Sequence, residues 1–267
     1  MKGGKKFLLL SLFLGFYFSS NLFCTDFLDS LSWTRSNTTT INSVSWSSDG
    51  RYLAVGTDTS AGPEVVAYEF DGSNLTDIAG AIKEIGGNVN SVSWSPDGRY
   101  LAVGTQNSGN EEVFVYEFDG LNLNDIVAKE IGNHTYFVSW SPDGRYLAVA
   151  SHFGASGQFV VYGFDGSNLT DIAGATKVVG SVVSSVSWSQ DGRYLAVGAG
   201  INAGAEVLVY GFDGSNLTDI AGATKETNIS VNSVSWSSDG RYLAVGTDAS
   251  DEAEVLVYGF DGLNLND

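Results

Sequence analysis

The string VSWS-x-DGRYLAV occurs five times in this chain of 267 residues. Its tryptophans are Trp46, Trp94, Trp140, Trp188 and Trp236, spaced 48, 46, 48 and 48 residues apart. A fixed period of about 20–50 residues marks one supersecondary unit stacked on itself, so that neighbours bury a continuous core. Near-copies of one unit build a scaffold, and function then resides in what differs between the copies.

The second copy shows what the unit is. NSVSWS (Asn90–Ser95) places Val92 and Trp94 at period two among small polar residues, the pattern of a strand. Pro96-Asp97-Gly98 follows as a tight turn: proline presets φ, aspartate bonds its own backbone and glycine tolerates positive φ. RYLAVGT (Arg99–Thr105) reads as a second strand, and EVFVYEF (Glu112–Phe118), rich in Val and aromatics, as a third. After Asp119-Gly120, Leu123 to Ile131 reads as a weaker fourth. No stretch shows the helical i, i+3, i+4 pattern with caps. Four short antiparallel strands in about 40–50 residues, repeated radially, make a β-propeller blade. The fold class predicted is all-β, a five-bladed propeller of four-stranded antiparallel blades.

The run VSWSPDGRYLAVGT…EVFVYEFDG resembles the WD-repeat family of propellers over residues 42–267. In that family such a turn joins the first two strands, and an aromatic near the end of the third packs the blade. No Gly-His pair precedes the first strand here, so the family's Asp-His-Ser-Trp network is missing. The Trp-Asp ending is replaced by Tyr-x-Phe-Asp, at Tyr68, Tyr116, Tyr162, Tyr210 and Tyr258. The resemblance implies a scaffold and no particular complex. It also implies how the ring closes. Complete fourth strands start at Leu75, Leu123, Leu169 and Leu217, but after Phe260 the chain reads DGLNLND and stops. Phe27 stands as far before Trp46 as Leu75 before Trp94, so FLDSLSW has the phase of the missing strand. Residues 27–40 are expected to close the last blade as the N-terminal strand does in WD-repeat propellers, removing an aggregation-prone edge. The competing reading is a truncated array that closes by oligomerising.

The ends and the charge set the surroundings. Lys2, Lys5 and Lys6 precede an apolar run of 12 residues, Phe7–Phe18, too short to span a bilayer. Residues 1–24 read as a secretory signal and 25–267 as a single propeller domain, exported to the periplasm or the medium. An uncleaved N-terminal anchor is the other reading, and bulky Phe23 disfavours lipid attachment at Cys24. Cys24 is the sole cysteine, so no disulfide is expected in the domain. The formal net charge is −18. That argues against nucleic acid and anionic membrane surfaces as partners and suits basic ones.

No catalytic constellation emerges. His134 and His152 each occur in one repeat only, and no Ser/His/Asp set, phosphate loop or His-Glu-x-x-His motif is present. The repeated aspartates, Asp49, Asp97, Asp143, Asp191 and Asp239 together with Asp71, Asp119, Asp165, Asp213 and Asp261, precede glycine and read as turn residues. DASDEAE (Asp248–Glu254) is acidic but lacks the calcium-loop patterns. No enzyme activity, cofactor or metal is expected. Asn-x-Ser/Thr sequons stand at Asn37, Asn74, Asn133, Asn168, Asn216 and Asn228.

Between copies the turns barely change. The loops between second and third strands do, as do the links from each fourth strand to the next copy. Both sets fall on one end of a propeller, the expected binding side for a protein or peptide. The candidate partner-binding residues are Asp58, Glu64, Asn107, Glu111, His134, Tyr136, His152, Phe153, Asn202, Asp248, Asp251 and Glu252. Tyr136 and Phe153 are the expected anchors. A multivalent carbohydrate-binding, lectin-like propeller is the alternative function.

Overall fold

Each Ser-x-Asp-Gly turn closes in the same way, and that fixes the first hairpin of every blade. In the first copy Ser47 Oγ donates to Asp49 Oδ1 at 2.6 Å, and Arg51 N donates to the same oxygen at 3.0 Å. Gly50 N donates to Ser47 O at 2.9 Å, with Gly50 at φ 71°. Tyr52 N donates back to Ser47 Oγ at 2.9 Å. The same bonds recur around Asp97, Asp143, Asp191 and Asp239. The second turn is capped likewise: Asp71 Oδ1 accepts from Ser73 N at 2.8 Å and Asn74 N at 2.7 Å. Both aspartate series are turn residues, as their sequence context predicts.

The computed structural model describes residues 40–58, 62–106, 111–153, 156–201, 204–248 and 255–267, with the backbone alone described at 152, 153 and 156. Blade 1 is β1 (Ile41–Trp46), β2 (Tyr52–Thr57), β3 (Val65–Phe70) and β4 (Leu75–Lys83). Blade 2 is β5 (Asn88–Trp94), β6 (Tyr100–Gln106), β7 (Val113–Phe118) and β8 (Leu123–Lys129). Blade 3 is β9 (Thr135–Trp140), β10 (Tyr146–Phe153), β11 (Ser156–Phe164) and β12 (Leu169–Val179). Blade 4 is β13 (Val183–Trp188), β14 (Tyr194–Ala199), β15 (Val207–Phe212) and β16 (Leu217–Lys225). Blade 5 is β17 (Val231–Trp236), β18 (Tyr242–Thr247), β19 (Val255–Phe260) and β20 (Leu265–Asn266). Every blade is a four-stranded antiparallel meander in sequence order, and no helix occurs among the described residues. The architecture is a five-bladed β-propeller.

The core lies in the seams between blades. Between blades 1 and 2, Ala54, Val65 and Ala67 of one meet Val89, Trp94, Leu101 and Val103 of the next. Matching clusters fill the seams 2–3, 3–4 and 4–5. The aromatic stripe is core, as expected. Trp94 sets its edge on Phe118 at 5.2 Å between centroids, and Tyr100 reaches across a seam to Phe164 at 4.9 Å. Polar struts cross the seams on the inner strands. Val92 N donates to Ser43 Oγ at 3.1 Å, and Asn42 Nδ2 donates to Val89 O at 3.0 Å. At the outer rim Lys83, Lys129, Lys177 and Lys225 each pair with the aspartate 42 residues on, Asp125, Asp171, Asp219 and Asp267.

The two ends of the array differ from its middle. No apolar cluster joins blade 5 to blade 1 among the described residues. Trp46 is 38% exposed where its counterparts are buried, and Val255 and Val257 are 63% and 57% exposed. The expected closing strand, Phe27–Trp33 within residues 27–40, lies outside the described residues, as does the signal at 1–24. One expectation needs correction. The C-terminal DGLNLND does not stop short of the fourth strand: it begins it, with Phe260 paired to Leu265 and Gly259 to Asn266. Asp261 caps the turn there as in every other blade, and Leu265 is buried against the seam, so the strand starts wherever this turn forms.

Candidate functional site: the variable-loop end

Antiparallel meanders put the β2–β3 type loops and the links between blades at one end, and all the capped turns at the other. At the variable end three glutamates act as latches. Glu64 Oε2 accepts from Ile85 N at 2.7 Å and Gly86 N at 3.5 Å. Glu112 Oε2 accepts from Ile131 N at 2.8 Å and Gly132 N at 3.2 Å. Glu206 Oε2 accepts from Thr227 N at 2.8 Å and Asn228 N at 3.2 Å. All three are buried. A buried carboxylate on orphan amides is a structural cap. Glu64 is therefore corrected from a partner-binding residue to a latch that holds the link into blade 2. Its signal was in the sequence: a glutamate immediately precedes Val-x-Val-Tyr or its equivalent in four of the five copies, Glu64, Glu112, Glu206 and Glu254, with Gln158 in the third.

Blade 3 departs most from its siblings. Its hairpin is longer, with eight residues in β10 and nine in β11 against six and six in blade 1. Pairing runs to Phe153 opposite Ser156, and β12 extends to Val179 to cover it. His152 and Phe153 thus belong to a strand end and not to a loop. Tyr136 and Phe137 of β9 stand where blade 2 has Asn90 and Ser91 and blade 4 has Ser184 and Ser185. Those residues strut the next seam: Asn90 Nδ2 donates to Thr135 O at 2.8 Å, and Ser185 Oγ accepts from Val234 N at 3.2 Å. In blade 3 the polar strut is replaced by ring packing, with Phe137 set against the cluster between blades 3 and 4. Tyr136 is therefore a half-buried residue of the innermost strand, where a loop position was expected. Beside it, His134 Nδ1 and Thr135 Oγ1 are buried without a hydrogen-bond partner.

The fold thus brings His134, Tyr136 and the strand end at His152 and Phe153 to one corner, since Thr135 pairs with Ser151. Asp58 is half-buried, its N–H bonded to Thr40 O at 3.1 Å, and Glu111 is also half-buried. Asp248 is exposed at the same end of blade 5, its N–H bonded to Ser230 O at 2.9 Å. Asn107, Asn202, Asp251 and Glu252 lie outside the described residues. No cluster of three or more His, Cys, Asp or Glu side chains with metal-holding geometry occurs among the described residues.

Known proteins place this geometry. The chain is similar in structure to a periplasmic gluconolactonase of Pseudomonas aeruginosa, at TM-score 0.67 and 21% identity, covering 84% of this chain and 70% of that one. It is similar to hydrazine synthase of Kuenenia stuttgartiensis, at TM-score 0.63 and 14% identity, covering 83% and 65%. A β-propeller domain from Myceliophteria thermophila follows at TM-score 0.57 and 15% identity, covering 85% and 72%. At such identities these likenesses show the fold alone. No curated protein sequence matches the chain. The WD-repeat resemblance holds at the level of the propeller, while the family model that matches is another. Residues 29–258 match the TolB beta propeller domain, and the chain belongs to that family.

Proposed function

We propose that this protein is an exported, non-enzymatic propeller scaffold that binds a protein or peptide at its variable-loop end, centred on blade 3. One observation carries the reading: the two ends of the ring are built differently. At the turn end, five copies of the same internal hydrogen bonds occupy the Ser and Asp side chains. At the other end, blade 3 swaps a polar strut for two aromatic rings and raises a longer hairpin beside them. Half-exposed aromatics on a rigid strand supply contact area at low entropic cost, the property of binding hot spots. The acidic loops around them steer basic partners and set the salt dependence of association.

The test is capture of a partner from the native secretome, followed by Tyr136→Ala and Phe153→Ala. Each is expected to weaken the complex by about 2 kcal/mol while leaving the melting temperature unchanged. Retained binding in both variants, with binding lost in turn-end variants, points to the other face. A glycan array run in parallel tests the lectin alternative, which requires carbohydrate binding that survives both substitutions.

A further inference from the structure

The variable residue of the Ser-x-Asp-Gly turn sits at the mouth of each seam, at the end opposite the site above. In blades 2 and 3 it is Pro96 and Pro142. A Cβ placed on Gly144 would lie 3.6 Å from Pro96 Cδ, and one on Gly192 would lie 3.8 Å from Pro142 Cδ. The proline rings thus plug the seams 2–3 and 3–4. In blade 4 the residue is Gln190, and a Cβ on Gly240 across the seam would meet nothing within 4 Å. There a cavity of about 460 Å³ opens between blades 4 and 5.

A second difference sets its chemistry. In blades 1 and 2 the turn arginine leaves its aspartate, Arg51 for Glu69 at 3.1 Å and Arg99 for Glu117 at 3.0 Å. Blades 3, 4 and 5 have Gly163, Gly211 and Gly259 in place of that glutamate. Arg145, Arg193 and Arg241 instead fold back on Asp143, Asp191 and Asp239, each at 2.6 Å. Seam 4–5 combines an arginine folded this way with no plugging proline. Its walls carry Gln190, Asp191, Arg193, Tyr194, Asp239 and Asp261. Of the three carboxylates, Asp191 is paired with Arg193 and Asp239 with Arg241, which leaves Asp261 as the one held by neutral donors among the described residues. Asp261 is held by amides: its Oδ1 accepts from Leu263 N at 2.9 Å and Asn264 N at 2.7 Å, and Asn264 Nδ2 donates to both of its oxygens.

We propose that the cavity between blades 4 and 5 binds a basic side chain, a lysine ammonium or an arginine guanidinium, presented by a partner polypeptide. Asp191 and Asp239 are already matched by their own arginines, so Asp261, whose partners are neutral, supplies the counter-charge. Hydrogen bonds from Asn264, Leu263 and Asn264 N–H hold the Asp261 carboxyl down at about 2, so it is anionic throughout the physiological range. The exposed Gln190 amide, with two donors and an acceptor, stands at the rim where a peptide backbone would cross. This site is separate from the variable-loop end and stands or falls without it.

The experiment is a calorimetric and NMR titration of the whole protein with blocked Gly-Lys-Gly and Gly-Arg-Gly peptides, with blocked Gly-Gln-Gly and with glucose. The basic peptides are expected to bind one site and the neutral ones at least about tenfold more weakly, with affinity falling as salt rises. Gln190→Pro installs the residue that blades 2 and 3 already carry, so the fold is retained while basic-peptide affinity drops about tenfold. Asp261→Asn, which keeps the turn-capping oxygen, is a second variant expected to lose affinity. Pro142→Gln recreates the combination at seam 3–4 and should move the stoichiometry from one towards two. Unchanged affinity in Gln190→Pro and Asp261→Asn overturns the proposal. So does equal binding of the glutamine peptide or glucose, or the absence of any basic-peptide binding.

Discussion

Trp94 is buried against Phe118 and the first seam, so Trp94→Ala is expected to cost about 3–5 kcal/mol, read from urea denaturation. That substitution is the stability control for the Tyr136→Ala and Phe153→Ala variants. The latch glutamates matter through what they leave behind. Glu112→Ala strands the amides of Ile131 and Gly132 and is expected to cost about 1–3 kcal/mol by the same measurement. Tyrosines set the alkaline limit. Burial, with the nearby Asp171 and Asp219 carboxylates adding to it, pushes Tyr162 and Tyr210 up to about 12. Their folded values lie above the ordinary value of 10.0, so their contribution is complete below pH 10 and lost as pH rises towards 12. The melting temperature is expected to fall across that window together with a rise in tyrosinate absorbance. Flat stability from pH 9 to 12 is the contrary result.

Among the elements, the outermost strands show how tightly blades are set. Gly80, Gly174 and Gly222 bridge to Asn122, Asn216 and Asn264 of the following blade. A Cβ on Gly174 would lie 2.8 Å from the backbone oxygen of Ser215, so no side chain fits without moving a strand. Gly174→Ala is expected to destabilise by about 1–3 kcal/mol, against a smaller effect of Ala substitution at the exposed Ser167 turn position, compared by thermal melts. Blade 2 lacks this glycine because β8 is two residues shorter than β4. The β10–β11 hairpin of blade 3 is the element that most alters the variable end. Its length follows from uninterrupted pairing between Tyr146 and Phe153, where blades 1 and 4 break into loops after six residues.

At the scale of the whole molecule, four seams are filled among the described residues, and blades 1 and 5 expose apolar side chains at Trp46, Val255 and Val257. A strand pairing with Val255–Tyr258 would cover part of the last face, and residues 27–40 have the phase to supply it. Removing residues 25–40 is expected to produce dimers or aggregates in light scattering. A monomer with an unchanged melting temperature sinks that closure. The net charge of −18 gives the molecule a negative field, the electrostatic background for the basic partners proposed above.

The repeat, the four strands of blades 1 to 4 and both capped turns were legible in the sequence because each is a local property, whereas the start of the fourth strand of blade 5 at Leu265 was not. Period-two alternation, Ser-x-Asp-Gly and Asp-Gly-x-Asn decide their own conformation within about ten residues. The aromatic core was legible for a related reason: a side chain repeated at one phase of a stacked unit must face its neighbour. Tertiary structure decided what depends on partners one blade away. Glu64 reads as a charged loop residue until its carboxylate meets the amides of Ile85 and Gly86, 21 and 22 residues on. Tyr136 reads as a loop aromatic until the register of β9 puts it in a strut position. Residue 190 reads as the tolerant middle of a turn until the facing turn of blade 5 shows that proline closes the seam and glutamine leaves it open. Hydrophobic period and turn chemistry fix each blade from within, whereas the angle and spacing at which blades meet determine which of their polar residues are caps, struts or walls of a cavity.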